Sequence, residues 1–178
     1  MSETWLISDT HFGHNKNFIF SQRGFSTVEE MDNAIIERWN SVVSKNDIVY
    51  HLGDFIMGDL TSGLDKIRQL NGNIYLTIGN HDTDSRLKEY ARLSNISDIQ
   101  FGYRIKDSKK FFLLSHYPQL TGNYDSSKTY SIHGHTHSPI RFDKPENNFY
   151  SLMYNVSCEA INCQPLNWDD MKLEIITK

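Results

Sequence analysis

The sequence predicts an α/β fold, and three observations carry that reading. Strand-like and helix-like segments alternate through the first half of the chain. Each of the three apolar strands in that half stops at an Asp, a Gly-Asp or a Gly-Asn-His. The second half is richer in strands than in helices. A β-α-β-α-β-α order calls for a mostly parallel sheet, and the strand-rich second half for a second sheet packed on the first.

The elements follow in order. Trp5 to Ser8 is a short apolar strand ending at Asp9. Ser26-x-x-Glu29 and Thr27-x-x-Glu30 are capping-box patterns, in which a hydroxyl caps a helix start and a carboxylate reaches back. Behind them Val28, Met31, Ile35, Trp39 and Val42 recur at three- and four-residue steps, which is one helical face. Ile48 to Leu52 is the second strand, running into Gly53-Asp54. Thr61 or Ser62 is expected to cap a helix through Leu70, with Asn71-Gly72 as its stop. Ile74 to Ile78 is the third strand, ending at Gly79-Asn80, and a helix over Arg86 to Leu93 follows. Phe101–Ile105, Lys110–Ser115, Thr129–His133, Tyr150–Val156 and Leu173–Thr177 are the expected strands of the second half. Gly122-Asn123 and Pro145 to Asn148 are expected turns between some of them.

Composition narrows the function classes. The chain has 178 residues, 38% of them hydrophobic, which suits one domain over 1–178 with a substantial core. It is too hydrophobic and too weakly charged for disorder. Lys and Arg number 18 against 22 Asp and Glu, a formal net charge of −4. A net acidic chain lacks the cation surplus that non-specific nucleic-acid binding needs. The densest apolar run, Phe111 to Leu114, is far shorter than the ~20 residues of a membrane span. The N-terminus carries neither a basic nor a long apolar region, and Cys158 and Cys163 read as reduced thiols. The expected compartment is therefore the cytoplasm.

The polar residues collect where an α/β sheet binds ligands, beyond the carboxyl ends of its strands. The first strand ends in Asp9-Thr10-His11, the second in Gly53-Asp54, the third in Gly79-Asn80-His81-Asp82. In the second half one strand ends in Ser115-His116-Tyr117 and another in Gly134-His135-Thr136-His137. In extended backbone, residues two apart point to one side, so Asp9 with His11, and His135 with His137, are expected to face one ion together.

These five motifs, in this order, resemble the signature of the calcineurin-like metallophosphoesterase superfamily: D-x-H, G-D, G-N-H-D/E, a later His, and G-H-x-H. The opening Ser8 to His14 is similar to that of small prokaryotic and phage phosphoesterases. The resemblance implies a four-layer α-β-β-α sandwich, two mixed sheets flanked by helices. It implies a metal-dependent phosphoesterase whose nucleophile is a hydroxide shared by two divalent cations. One cation would take Asp9, His11, Asp54 and His137, the other Asp54, Asn80, His116 and His135. Mixed imidazole and oxygen donors without thiolate suit Mn, Fe, Zn or Ni, with Mn favoured here. His81 is implied as the acid that protonates the leaving oxygen, because a histidine titrates near working pH. Asn80 and His81 would also touch the substrate. His14, near the mouth, is either a phosphate contact or a surface histidine.

One departure concerns His81. Many members carry an Asp three residues after the bridging Asp, where this chain has Met57. Asp59 and Asp82 are the remaining candidates to assist His81. The Arg-containing continuation of Ser/Thr protein phosphatases is also missing, which argues against a phosphoprotein substrate. The expected substrate is a small phosphodiester or phosphomonoester, with a nucleotide-like one included. A nuclease acting on DNA or RNA ends and a non-catalytic protein-binding scaffold of the same fold are the alternatives. Outside the motifs, His51 reads as a hydrogen-bonded core histidine and His133 as a supporting or packing residue. Arg86 is within reach of a phosphate from the helix after Asp82, but reads first as part of a solvated helix face. Tyr117 and Asn15 are weak pocket-lining candidates, and Trp5, Phe111 and Phe112 are expected in the core.

Overall fold

In the computed structural model, residues 2–120, 128–143 and 152–177 are described. Strand β1 (Thr4–Ile7) is followed by a one-turn helix α1 (Asn17–Phe20) and the long helix α2 (Val28–Val42). Then come β2 (Ile48–His51), α3 (Leu60–Ile67), β3 (Asn73–Thr77), α4 (Asp84–Tyr90) and β4 (Ile96–Gln100). The second half runs β5 (Gly102–Asp107), β6 (Lys110–Ser115), β7 (Thr129–His133), β8 (Phe142–Asp143), β9 (Met153–Asn155), α5 (Cys158–Ile161), β10 (Leu166–Asn167) and α6 (Trp168–Ile176).

Two mixed five-stranded sheets result, ordered β10-β1-β2-β3-β4 and β5-β6-β7-β9-β8. In the first, β1 to β4 are parallel and only β10 runs against β1. In the second, β6, β7 and β9 are parallel and the edges β5 and β8 are antiparallel. Inward residues of both sheets share one core: Leu6, Ile7, Val49, Ile74 and Leu76 from the first, and Phe112, Leu114, Ile132 and Tyr154 from the second. The Tyr103 ring stands 5.3 Å from that of Tyr50, and its hydroxyl donates to the Leu76 carbonyl at 3.3 Å, tying β5 to the first sheet.

Helix α2 forms as its pattern requires. Thr27 accepts from the Glu30 N–H at 3.1 Å, Glu30 accepts from the Ser26 N–H at 2.8 Å, and Met31, Ile35 and Trp39 are buried. Of the two capping-box readings, the structure uses Thr27 with Glu30. Other expectations need correction. Asp59, not Thr61 or Ser62, caps α3, by accepting from the Ser62 N–H at 2.9 Å. Helix α4 starts at Asp84 and stops at Tyr90, and β4, β8 and β10 are strands that were not expected. Leu173–Thr177 is not a strand: Leu173 to Ile176 complete α6. Trp168, Met171 and Ile175 recur with helical period on its buried face, Asn167 caps it, and Asp169 and Asp170 favour its N-terminal dipole.

Trp5 and Phe112 lie in the core as expected, whereas Phe111 is half-buried on the opposite face of β6, under the Arg104 guanidinium at 4.0 Å. The pleat explains this, since neighbours on a strand face opposite sides. Gly122-Asn123, Pro145 to Asn148 and Tyr150 lie outside the described residues.

Candidate metal centre

The carboxyl ends of β1, β2, β3, β6 and β7 meet at one edge, because those strands run parallel and the two sheets touch there. The Ser8 N–H donates to the Val156 carbonyl at 2.9 Å and the Cys158 N–H to Ser8 at 3.1 Å, so the chain after β1 bridges to the chain after β9. Beyond β1, the Asp9, His11 and Phe12 N–H groups donate to the carbonyls of Gly53, Asp54 and Phe55. The two strand-end loops thus descend side by side.

The backbone of these loops differs from the extended form assumed from the spacing. Asp9, His11, Asp54, His135 and His137 all have positive φ, between 49° and 65°. Non-glycine residues adopt this left-handed conformation at a cost of order 1 kcal/mol or more each, and such outliers collect at functional sites. Asp9 with His11, and His135 with His137, converge through alternate left-handed residues and not through strand parity.

The donors form two overlapping groups. In the first, His11 Nε2 and His137 Nε2 face each other at 3.2 Å and lie 3.7 Å and 3.6 Å from Asp9 Oδ1. His11 Nε2 is also 3.6 Å from Asp54 Oδ2. In the second, His116 Nε2 lies 3.5 Å from Asp54 Oδ2, 2.8 Å from Asn80 Oδ1 and 3.2 Å from His135 Nδ1. Donors on one transition-metal ion with bonds of about 2.1 Å sit roughly 3–3.5 Å apart, close to these separations. Asp54 Oδ2 belongs to both groups. Asp9, His11 and His137 offer ligand atoms within 4.8 Å of one another, and so do Asp9, Asp54 and His116.

Asp9 Oδ1 shows that a cation fits here. It is fully buried and has no hydrogen-bond partner among the described residues, with imidazole nitrogens around it. A buried acceptor without a donor is costly, and a cation would satisfy it. Burial raises the Asp9 carboxyl to about 6 against the opposing pull of His137 and His116. Burial likewise pushes His11 and His135 down, toward the neutral form that ligation requires. Two glycines make room for the carboxylates. A Cβ on Gly79 would collide with Asp54 Oδ1, and one on Gly134 with Ser8 Oγ and Asp9 Oδ2.

His81 and Asp82 take different places. The His81 N–H donates to Asp54 Oδ1 at 2.8 Å. Its ring is 41% exposed, with Nε2 4.0 Å from Asp54 Oδ2. The Asp82 carboxylate lies beneath the loop. It accepts from the N–H groups of Asp54, Gly79 and Phe55 at 2.7, 2.9 and 3.1 Å, and from the Tyr90 hydroxyl at 3.4 Å. Asp59 is engaged as the cap of α3. His14 is buried, its ring edge-on to His11 at 5.6 Å, and burial with Arg23 nearby lowers its pKa. His51 is a core residue: its Nε2 meets Thr10 Oγ1 at 3.1 Å and its ring stacks on Phe55 at 3.9 Å. His133 is buried with Nδ1 2.9 Å from the Gly134 carbonyl. Tyr117 does border the site, its ring 4.6 Å from that of His135.

Three supporting residues escaped the sequence reading. Glu159 Oε1 accepts from His137 Nδ1 at 3.0 Å and from Arg23 Nε at 2.8 Å. Burial works against the Glu159 charge, yet the His137 hydrogen bond and the Arg23 cation hold its carboxyl at about 2. Buried Arg23 also donates to the carbonyls of Asp9 and Thr10, at 2.7 and 3.1 Å. Arg86 is not a solvated helix residue: its guanidinium donates to the carbonyls of Ile56, Met57 and Gly58, bracing the chain after Asp54. Arg23 and Glu159 are 136 residues apart, so no local spacing announces them.

The calcineurin-like phosphoesterase family matches residues 3–169. The uncharacterized protein MJ1445 of Methanocaldococcus jannaschii is 36% identical over 173 residues, covering 95% of this chain and 89% of that protein. The gene 66 protein of Mycobacterium phage L5 is 29% identical, covering 79% of this chain and 80% of its own. Among solved structures, a protein of unknown function from Aquifex aeolicus, AQ665, has the same fold. Its TM-score is 0.70 at 23% identity, over 97% of this chain and 98% of its own. With the family match spanning most of its length and the family's motifs gathered at one sheet edge, the chain belongs to the calcineurin-like phosphoesterases.

Proposed function

We propose that the protein is a metal-dependent phosphoesterase acting on a small phosphodiester or phosphomonoester. The observation that carries this reading is Asp54 Oδ2, within 3.6 Å of His11 Nε2 and 3.5 Å of His116 Nε2, one oxygen serving both donor groups. Asp9, His11, Asp54 and His137 would hold one divalent ion, and Asp54, Asn80, His116 and His135 a second. Mn is favoured, and Fe, Zn and Ni are compatible with the same donors. When bound, two such cations supply Lewis acidity for the phosphoryl oxygens and lower the pKa of a shared water.

The remaining work falls to the chain. Asp82 fixes the Asp54 loop from below through the Asp54 and Phe55 N–H groups and ties it to the Gly79 N–H, and Arg86 braces the segment that follows. Asn80 and His81 present their side chains beside the donors, and His81 delivers a proton to the leaving oxygen from an open position. His14 lines the approach to His11 and would face the substrate phosphate. The net charge of −4 does not oppose phosphate binding, because the bound cations set the local charge. Two free cysteines suit the reducing cytoplasm as its compartment.

The test is hydrolysis by protein reloaded in turn with Mn, Fe, Zn or Ni, on bis(p-nitrophenyl) phosphate and p-nitrophenyl phosphate. Turnover that chelation abolishes and metal restores is expected, and the preferred ester defines the substrate class. Inactivity on both esters with all four metals would falsify the proposal.

A further inference from the structure

Two exposed aromatic rings border the candidate ligands, Tyr117 in contact with the second donor group and Phe18 one ring removed from the first, across His14. Phe18, on the one-turn helix α1, is 66% exposed, while its neighbour Ile19 makes the core contact. The Phe18 ring stands edge-on to His14 at 6.1 Å, and His14 in turn to His11 at 5.6 Å. On the other side Tyr117 is 49% exposed, with its ring 4.6 Å from His135 and 5.0 Å from His116. An exposed Phe forgoes the burial that its side chain would gain in the core. Both rings meet imidazoles at a steep angle, and among the described residues each leaves much of its surface exposed to a flat partner.

The site between them is otherwise polar: carboxylates, imidazoles and one amide. An ester whose phosphate sits on those donors carries its organic groups outward, past Phe18 on one side and Tyr117 on the other. Every nucleobase has a π-face that stacks on such rings. The charge balance of 18 cationic against 22 acidic side chains gives no surplus for gripping a polymer backbone. We propose that Phe18 and Tyr117 are specificity-determining walls that select nucleotide-type esters over aliphatic ones. This inference rests on the phosphoesterase reading of the same site.

Calorimetric binding to metal-loaded protein, with adenosine monophosphate and ribose 5-phosphate as paired probes, tests it. Wild type is expected to bind the nucleotide more than about tenfold tighter than the sugar phosphate. Phe18→Leu and Tyr117→Leu combined, both at exposed positions, should cut that preference roughly fivefold, the single variant at the wall that takes the base should do the same, and ribose 5-phosphate affinity should stay unchanged. Equal affinity of wild type for both probes, no binding of either, or equal weakening of both by the variants would overturn the proposal. Hydrolysis of bis(p-nitrophenyl) phosphate by the same samples is read separately. A nucleotide preference without hydrolysis removes the phosphoesterase reading and keeps the stacking walls.

Discussion

Glu159 accepts the Nδ1–H of His137 at 3.0 Å, and the opposite ring nitrogen of His137, Nε2, stands 3.6 Å from Asp9 Oδ1. A carboxylate behind a ligating imidazole fixes its tautomer and raises its basicity. Arg23 joins Glu159 to the Asp9 and Thr10 carbonyls, so one buried cation ties the loop after β1 to helix α5.

Glu159→Ala should therefore weaken metal binding without emptying the site. Loss of such a support costs roughly 10- to 100-fold in affinity. Competition with a chelating dye measures it. An unchanged affinity would show that Glu159 serves only to pair Arg23.

Asp82→Ala removes the acceptor of three buried backbone N–H groups, those of Asp54, Phe55 and Gly79. Each orphaned donor costs about 1–3 kcal/mol, so a loss of roughly 3 kcal/mol or more is expected in urea unfolding. Asp82→Asn keeps one acceptor oxygen and should fall between. A loss below about 1 kcal/mol in the Ala variant would contradict the positioning role.

His51 makes stability depend on pH. Burial lowers its pKa from 6.5 to about 3, so the folded chain keeps it neutral where the unfolded chain protonates it. Its contribution is fully present above pH 6.5 and is lost as pH falls from there toward about 3, at up to about 1.4 kcal/mol per pH unit. Urea midpoints measured from pH 7 downward should show a shallower slope in His51→Gln than in wild type. The slopes, not the absolute stabilities, decide the matter.

His81→Ala should lower turnover by roughly 100- to 10,000-fold, the range of a lost general acid, while metal content stays near that of wild type. The ring is 41% exposed and stands edge-on to the His11 ring at 5.5 Å. Loss of metal together with activity would make His81 a ligand.

The sequence made part of this legible. Strand ends punctuated by glycine and acidic or imidazole groups are local signals, so Asp9, His11, Asp54, Asn80, His116, His135 and His137 are legible as candidates, and the structure brings their side chains together. The stripe of α2 was legible because its capping and its period agree. The backbone geometry was not, because left-handed residues such as Asp9 and His137 are imposed by the loops they join. Leu173 to Thr177 reads as a strand in isolation, and only the packing of Trp168, Met171 and Ile175 makes it a helix. Arg23 and Glu159 are tertiary partners 136 residues apart, and Arg86 finds its carbonyls 28 to 30 residues away. No periodicity encodes such pairs.

The sharing of Asp54 between two cations is the centre of the proposed chemistry. Metal-to-protein stoichiometry by elemental analysis, in wild type and Asp54→Ala with hydrolysis measured on the same samples, tests it most directly. Two ions per chain are expected in wild type, with both occupancy and turnover lost in Asp54→Ala. Full turnover with one ion or none, or an Asp54→Ala protein that keeps two ions and its activity, would contradict it.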